Sequence, residues 1–172
     1  SNPMKDIVVG MGEALWDMLP EGKKIGGAPA NFAYHVSQFG LSSCVVSAIG
    51  DDSLGKEIIE NFASKGLNHH IAQVPYPTGT VQVDIDQAGI PQYEIKENVA
   101  WDNIPYTAHL EALAENTKAV CFGSLAQRSV VSRSTINRFL DAMPQTDDTL
   151  IVFDINLRQG FYNKEILCNS MK

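Results

Sequence analysis

The sequence predicts an α/β fold built on a doubly wound, mainly parallel sheet, and three observations carry that expectation. Four short, continuously apolar runs read as strands buried on both faces. Segments with helical spacing alternate with them. One stretch where polar and apolar residues strictly alternate breaks that order, and it reads as a small sheet standing off the main body.

The first buried run is Ile7-Val8-Val9-Gly10-Met11-Gly12. Residues 15–19 follow, mostly apolar with one acid, and Pro20, Glu21 and Gly22 make a turn. Phe32, Val36 and Phe39 fall at i, i+4 and i+7, one stripe of a helix that Gly40 can stop. Cys44-Val45-Val46-Ser47-Ala48-Ile49 is the second buried strand, closed by Gly50. Asp52 or Ser53 can cap the next helix, which buries Ile58, Ile59 and Phe62 and ends at Gly66. After Pro75 and Pro77 comes the alternating stretch, Val81 to Asp86, then turn chemistry at Gln87-Ala88-Gly89, then Tyr93-Glu94-Ile95-Lys96. That is an antiparallel hairpin with one wet face. Residues 108–116 predict a short helix with Leu110 and Leu113 inward. Ala119-Val120-Cys121-Phe122 is the third buried strand. Ser132 is expected to cap a helix that buries Ile136, Phe139, Leu140 and Met143 before Pro144. Leu150-Ile151-Val152-Phe153 is the fourth strand, and Asn163 can cap a last helix.

At 172 residues, 44% hydrophobic and 19% charged, the chain suits one domain with a substantial core, residues 4–172. Ser1-Asn2-Pro3 reads as an expression scar. Thirteen basic against twenty acidic residues give a net charge of −7, with no basic run, so nucleic acid and anionic membrane are poor partners. Cys44, Cys121 and Cys168 lie in or beside apolar runs with no C-x-x-C pair, which suits reduced thiols in a cytoplasmic protein. No apolar stretch is long enough to span a membrane, and no secretory signal opens the chain. His35, His69, His70 and His109 lack metal-ligand spacing, and His69-His70 reads as a solvated loop. No metal site is expected.

Ligands of open parallel sheets bind beyond the carboxyl ends of the strands. The polar groups there are Asn31 with its glycines, Asp51, Asp52, Ser124, Asp154, Asn156 and Arg158, and Asp17 can lean over the same crevice. Gly10-x-Gly12 lacks the third glycine of a dinucleotide fingerprint, since position 15 is Leu15. Gly26-Gly27 before a helix lets backbone approach a ligand closely, and Asn31 offers a donor and an acceptor together. On spacing alone that turn suits a ligand or an ordinary loop equally. Asp154, Asn156 and Arg158 alternate, so their side chains converge. An Asp154–Arg158 ion pair explains them slightly better than a ligand does.

Together these motifs resemble the ribokinase-like, PfkB-type carbohydrate kinase family. The matching stretches are Val9 to Asp17, Gly26-Gly27-Ala28-Pro29-Ala30-Asn31-Phe32-Ala33, Ile49-Gly50-Asp51-Asp52 with Gly55, and Phe153 to Arg158. The subgroup most resembled is the bacterial fructokinases. The resemblance implies ATP-dependent transfer of the γ-phosphate to a sugar hydroxyl, with Mg2+. It implies that Asp17, Gly26, Gly27 and Asn31 bind the sugar, with Tyr93 and Trp101 as apolar walls. It places Arg158 at the transferred phosphate, and Asn156 near the nucleotide. A β-sheet lid, residues 14–24 and 78–107, would close over the sugar and could join two copies of the chain. The family's Gly-Ala-Gly-Asp turn, which carries the general base and anion hole, occurs nowhere in the sequence. The C-terminal part of the fold is therefore expected to be absent and the chain inactive alone. A non-catalytic, sugar-binding or dimerising remnant is the alternative.

Overall fold

A computed structural model describes residues 6–153. In chain order the elements are β1 (Ile7–Met11), β2 (Leu15–Leu19), β3 (Gly22–Gly26), α1 (Ala28–Gln38), β4 (Ser43–Gly50), α2 (Ser53–Ser64) and β5 (His69–Val74). Then come β6 (Gly79–Ile85), β7 (Pro91–Ile95), α3 (Ala108–Glu115), β8 (Thr117–Phe122), α4 (Val130–Ala142) and β9 (Leu150–Phe153). Single 3-10 turns lie at Ala100–Asn103 and Leu125–Gln127.

The main sheet has the order β5-β4-β1-β8-β9, and every neighbouring pair is parallel. Successive strand residues face opposite sides, so a continuous apolar run feeds two cores. On one face Val9, Met11, Val46, Ala48 and Val120 pack against Leu110 of α3 and against Ile136 and Phe139 of α4. On the other, Val8 and Cys121 meet Phe32 and Val36 of α1, while Val45 and Ile49 meet Ile58 and Phe62 of α2. The doubly wound sheet is the expected one, with one strand more. His69 and His70 belong to edge strand β5, paired with Val45 and Val46, and do not form a loop. Burial lowers the pKa of both, and nearby His109 lowers that of His70 further.

The second sheet has the order β3-β2-β6-β7. β2 runs antiparallel to β3 and parallel to β6, and β6 and β7 form the expected hairpin. Residues 96–107 leave this sheet, and Trp101 and Ile104 there are buried. Trp16 moors the back of the sheet to α2 by donating from Nε1 to the Leu54 carbonyl at 2.9 Å.

Two polar clusters tie the sheets together. Where the chain passes from β5 to β6, the Thr78 hydroxyl donates to Asp52 Oδ1 at 2.6 Å and accepts from the Gly50 amide at 2.9 Å. Asp52 Oδ2 accepts from the Thr78 amide at 3.0 Å, and Oδ1 also caps α2 by accepting from the Gly55 amide at 2.8 Å. Where the chain returns from β7, the Arg128 guanidinium donates to both oxygens of buried Asp102, each at 2.8 Å, and to the Lys96 carbonyl at 2.6 Å. Ser132 does not cap α4, whose N-cap is Ser129. Its buried hydroxyl instead bridges the returning loop, donating to the Trp101 carbonyl at 2.7 Å and accepting from the Ile104 amide at 3.0 Å. A hydroxyl inside a helix must find such a partner once it is buried.

Cys44 and Cys121 are buried thiols, and burial pushes the pKa of Cys44 up to about 11. Cys168 and the expected last helix lie outside the described residues. No helix among the described residues is long and apolar enough to cross a membrane.

A Cβ on Gly10 would overlap the Pro29 carbonyl oxygen, because the first turn of α1 sits directly on β1. Gly10→Ala should therefore cost about 2 kcal/mol in denaturant unfolding, the scale of overpacking, and an unchanged midpoint would refute the contact. At Asp52, partial burial pushes the carboxyl pKa up, but the hydrogen bonds from Thr78 and Gly55 outweigh it and hold the pKa below the usual 3.8. A carboxyl lowered in the folded state stabilises above its unfolded pKa and loses that contribution as pH falls through the folded one. The stability difference between wild type and Asp52→Asn should be constant near neutrality and shrink below about pH 4; a difference that grows on acidification would contradict the cluster.

Candidate functional site

Between the two sheets lies a cavity of about 530 Å³. One wall comes from the main body. Glu13 leaves the carboxyl end of β1, Gly27, Ala28 and Asn31 open α1, and Leu125 follows β8. The other wall is one face of the small sheet, and the strand registers explain its membership. Leu15 and Asp17 alternate on β2, Val81 stands level with Asp17 on β6, and Ile95 stands level with Val81 on β7. Tyr93, two residues before Ile95, reaches the rim and is 66% exposed.

Asp17 leans across the end of β3. A Cβ on Gly26 would lie 2.6 Å from Asp17 Oδ2 and 2.9 Å from Leu15 Cδ1, so the bare backbone there makes room for the carboxylate. Gly27, with φ of 118°, is the N-cap of α1 and has no side chain to occupy the amides of the first turn. Asn31 sits one turn in, exposed towards the cavity. The opposite partner of Asp17 on β3 is Lys24, which is exposed and does not line the cavity.

Of the residues singled out from the sequence, the structure gathers Asp17, Gly26, Gly27, Asn31 and Tyr93 around this space. Trp101 is not among them. Its indole is 1% exposed and packs with Leu15, Val81 and Val83 beneath the apolar wall. Gly79 leaves no side chain in its way, and the Arg128 guanidinium covers the ring at 4.2 Å. Trp101 therefore supports the lining from behind and is no wall of the cavity. Asp52 has both carboxylate oxygens engaged by Thr78 and Gly55. Asp154, Asn156 and Arg158 lie outside the described residues.

Glu13 is the addition. It is 2% exposed and lines the cavity beside Asp17. Its signal was its place, the first polar residue after the glycine that follows β1. Two carboxylates and an amide on apolar walls can accept and donate to a cluster of hydroxyls while hydrocarbon packs on the opposite side. The same two acids repel a triphosphate, so this cavity does not fit ATP. Among the described residues no group of three or more His, Cys, Asp or Glu could hold a metal ion.

The comparisons with known proteins show the family and the fold. The model of the pfkB family carbohydrate kinases matches residues 21–168. An uncharacterized sugar kinase from Pyrococcus horikoshii is 30% identical over 165 residues, which cover 88% of this chain and 52% of that protein. Its crystal structure superposes with a TM-score of 0.74 at 27% identity, covering 96% of this chain and 59% of that one. An ATP-dependent 6-phosphofructokinase from Thermoanaerobacterium thermosaccharolyticum is 30% identical over 169 residues, 91% of this chain and 52% of the relative. A fructokinase from Klebsiella pneumoniae is 29% identical over 160 residues, 88% of this chain and 51% of the relative. The chain thus spans about half the length of the curated relatives it matches.

Proposed function

We propose, for a chain that belongs to the pfkB family of carbohydrate kinases, that the cavity takes an uncharged ketose, fructose or a close relative, as the phosphoryl acceptor. The observation that carries this reading is the pair of acids, Glu13 and Asp17, beside Asn31 in one cavity whose described lining contains no Lys, Arg or His. Sugar hydroxyls donate to the Asp17 carboxylate, and the Asn31 amide can both donate and accept. The carbon face of the sugar packs on Leu15, Val81, Ile95 and the Tyr93 ring.

Charge selects against the acceptors of some relatives. A phosphate about 4 Å from one carboxylate is opposed by roughly 4 kcal/mol at an effective dielectric of 20. Lys24, opposite Asp17 on β3, is exposed and does not line the cavity, so among the described residues no cation of the lining offsets the two acids. A sugar phosphate is therefore a poor occupant, although one of the relatives is a 6-phosphofructokinase.

The small sheet acts as the lid, carrying Asp17 and Tyr93 over the sugar. The resemblance implies that the phosphoryl donor would be ATP with Mg2+, held outside this cavity; Arg158, which it assigns to the transferred phosphate, lies outside the described residues. The acidic lining of the cavity does not fit the nucleotide. The Gly-Ala-Gly-Asp turn is missing from these 172 residues, so the chain alone binds sugar without turning it over; a positioned base contributes roughly 10²–10⁴-fold. A second reading, a remnant that joins two copies of the chain through the lid, draws on Ile85 and Ile90, each 56% exposed on or beside the hairpin.

Titration calorimetry with the purified chain tests the acceptor. Fructose should bind, and Asp17→Ala should weaken it at least tenfold, about 1.4 kcal/mol, with unfolding unchanged. Fructose 6-phosphate binding as tightly as fructose would overturn the charge argument. A coupled assay with ATP and fructose should show no turnover; sugar-dependent turnover by the 172 residues alone would refute the account of the missing base.

A further inference from the structure

We infer that Thr78 is a positioning residue, which through Asp52 and Gly50 sets the height of the small sheet, and with it Asp17, over the cavity. The role in sugar binding rests on the acceptor reading above. Thr78 is 3% exposed and does not line the cavity, so it cannot touch a ligand there. It stands at the junction, though. The next residue, Gly79, begins β6 level with Leu15, and Val81 is level with Asp17. A short, extended segment transmits a fixed starting point to both lining residues.

The cluster leaves little play at that starting point. Thr78 offers three polar contacts, two through its hydroxyl and one through its amide. The receiving side is equally closed. Gly55 could not carry a Cβ, which would lie 2.8 Å from the Thr78 hydroxyl oxygen. Asp52 is itself fixed by capping α2. The acidic motif at the carboxyl end of β4 thus acts on the sugar site through the backbone of β6, without contacting the sugar. Removing the hydroxyl leaves the buried Gly50 amide without its acceptor, while the similar shape of Val keeps the packing.

The test uses the full 172-residue chain and two readouts, hydrogen exchange by mass spectrometry and fructose affinity by calorimetry. Thr78→Val should speed amide exchange in β2 and β6 at least tenfold, leave β1 and β8 within twofold, and weaken fructose at least fivefold. Thr78→Ser, which keeps the hydroxyl, should restore both. Should Thr78→Val fail to fold, Asp52→Asn carries the same comparison. Unchanged exchange in the small sheet would overturn the proposal, and so would an equal increase in both sheets, which marks a merely structural contact. Fructose binding that survives a selective loosening would overturn it as well. If wild type binds no fructose at all, the acceptor reading fails, and selective exchange alone decides whether Thr78 sets the sheet.

Discussion

The spacing between the two sheets is the constraint on which the cavity depends, because neither sheet holds a complete set of polar groups. Asp17 belongs to the small sheet, whereas Glu13 and Asn31 belong to the main body. Two polar junctions hold that spacing. One is built from Thr78 and Asp52, the other from Asp102, Arg128 and the hydroxyls of Ser129 and Ser132. The Asp102–Arg128 pair joins a buried carboxylate to a partly exposed guanidinium and contributes little net stability, since desolvation of the acid offsets the attraction. Its fork geometry fixes direction instead, and the third donation to the Lys96 carbonyl pins the end of β7. Behind the sheet the Trp16 indole anchors β2 to α2, so the β2 side is moored and the far tip of the hairpin projects.

Membership in the pfkB family is the starting point of the proposed sugar reading of this cavity. A sugar with several hydroxyls offers donors in every direction and no net charge. Carboxylates meet donors well and tolerate no second anion, and apolar side chains meet the carbon skeleton. Both properties sit in a space formed where β1 and β8 end, which is where parallel sheets collect ligands.

Much of the main sheet was legible because a strand buried on both faces is a continuous apolar run. β1, β4 and β8 each show one; β9 is as apolar but, at the end of the described sheet, leaves Ile151 and Phe153 exposed rather than buried. β5 escaped because it is an edge strand opened by two histidines, and its polar start imitates a loop. β3 escaped for a similar reason, since Lys23 and Lys24 are exposed and only its end is buried. Asp17, Gly26, Gly27 and Asn31 were legible as glycines and polar residues beside strand ends. Trp101 was misplaced because an aromatic after a hairpin looks the same in sequence whether it faces a cavity or a core. The space that buries it is made by Gly79, 22 positions earlier (101 − 79). Ser132 was misread as a cap because the loop that needs its hydroxyl arrives from elsewhere in the chain.

The parallel pairing of β2 with β6 has a consequence for assembly. Asp17 and Val81 are neighbours in space but 64 positions apart in sequence (81 − 17), and β4, α2 and β5 lie between them. Contacts this distant close late, because the chain entropy lost must be recovered by structure already in place. The hairpin of β6 and β7 can zip locally, whereas its docking beside β2 waits for the first half of the main sheet. Asp17 is therefore among the last groups of the cavity to reach its post, and a nascent chain holds no such pocket until the sheet beneath it has formed.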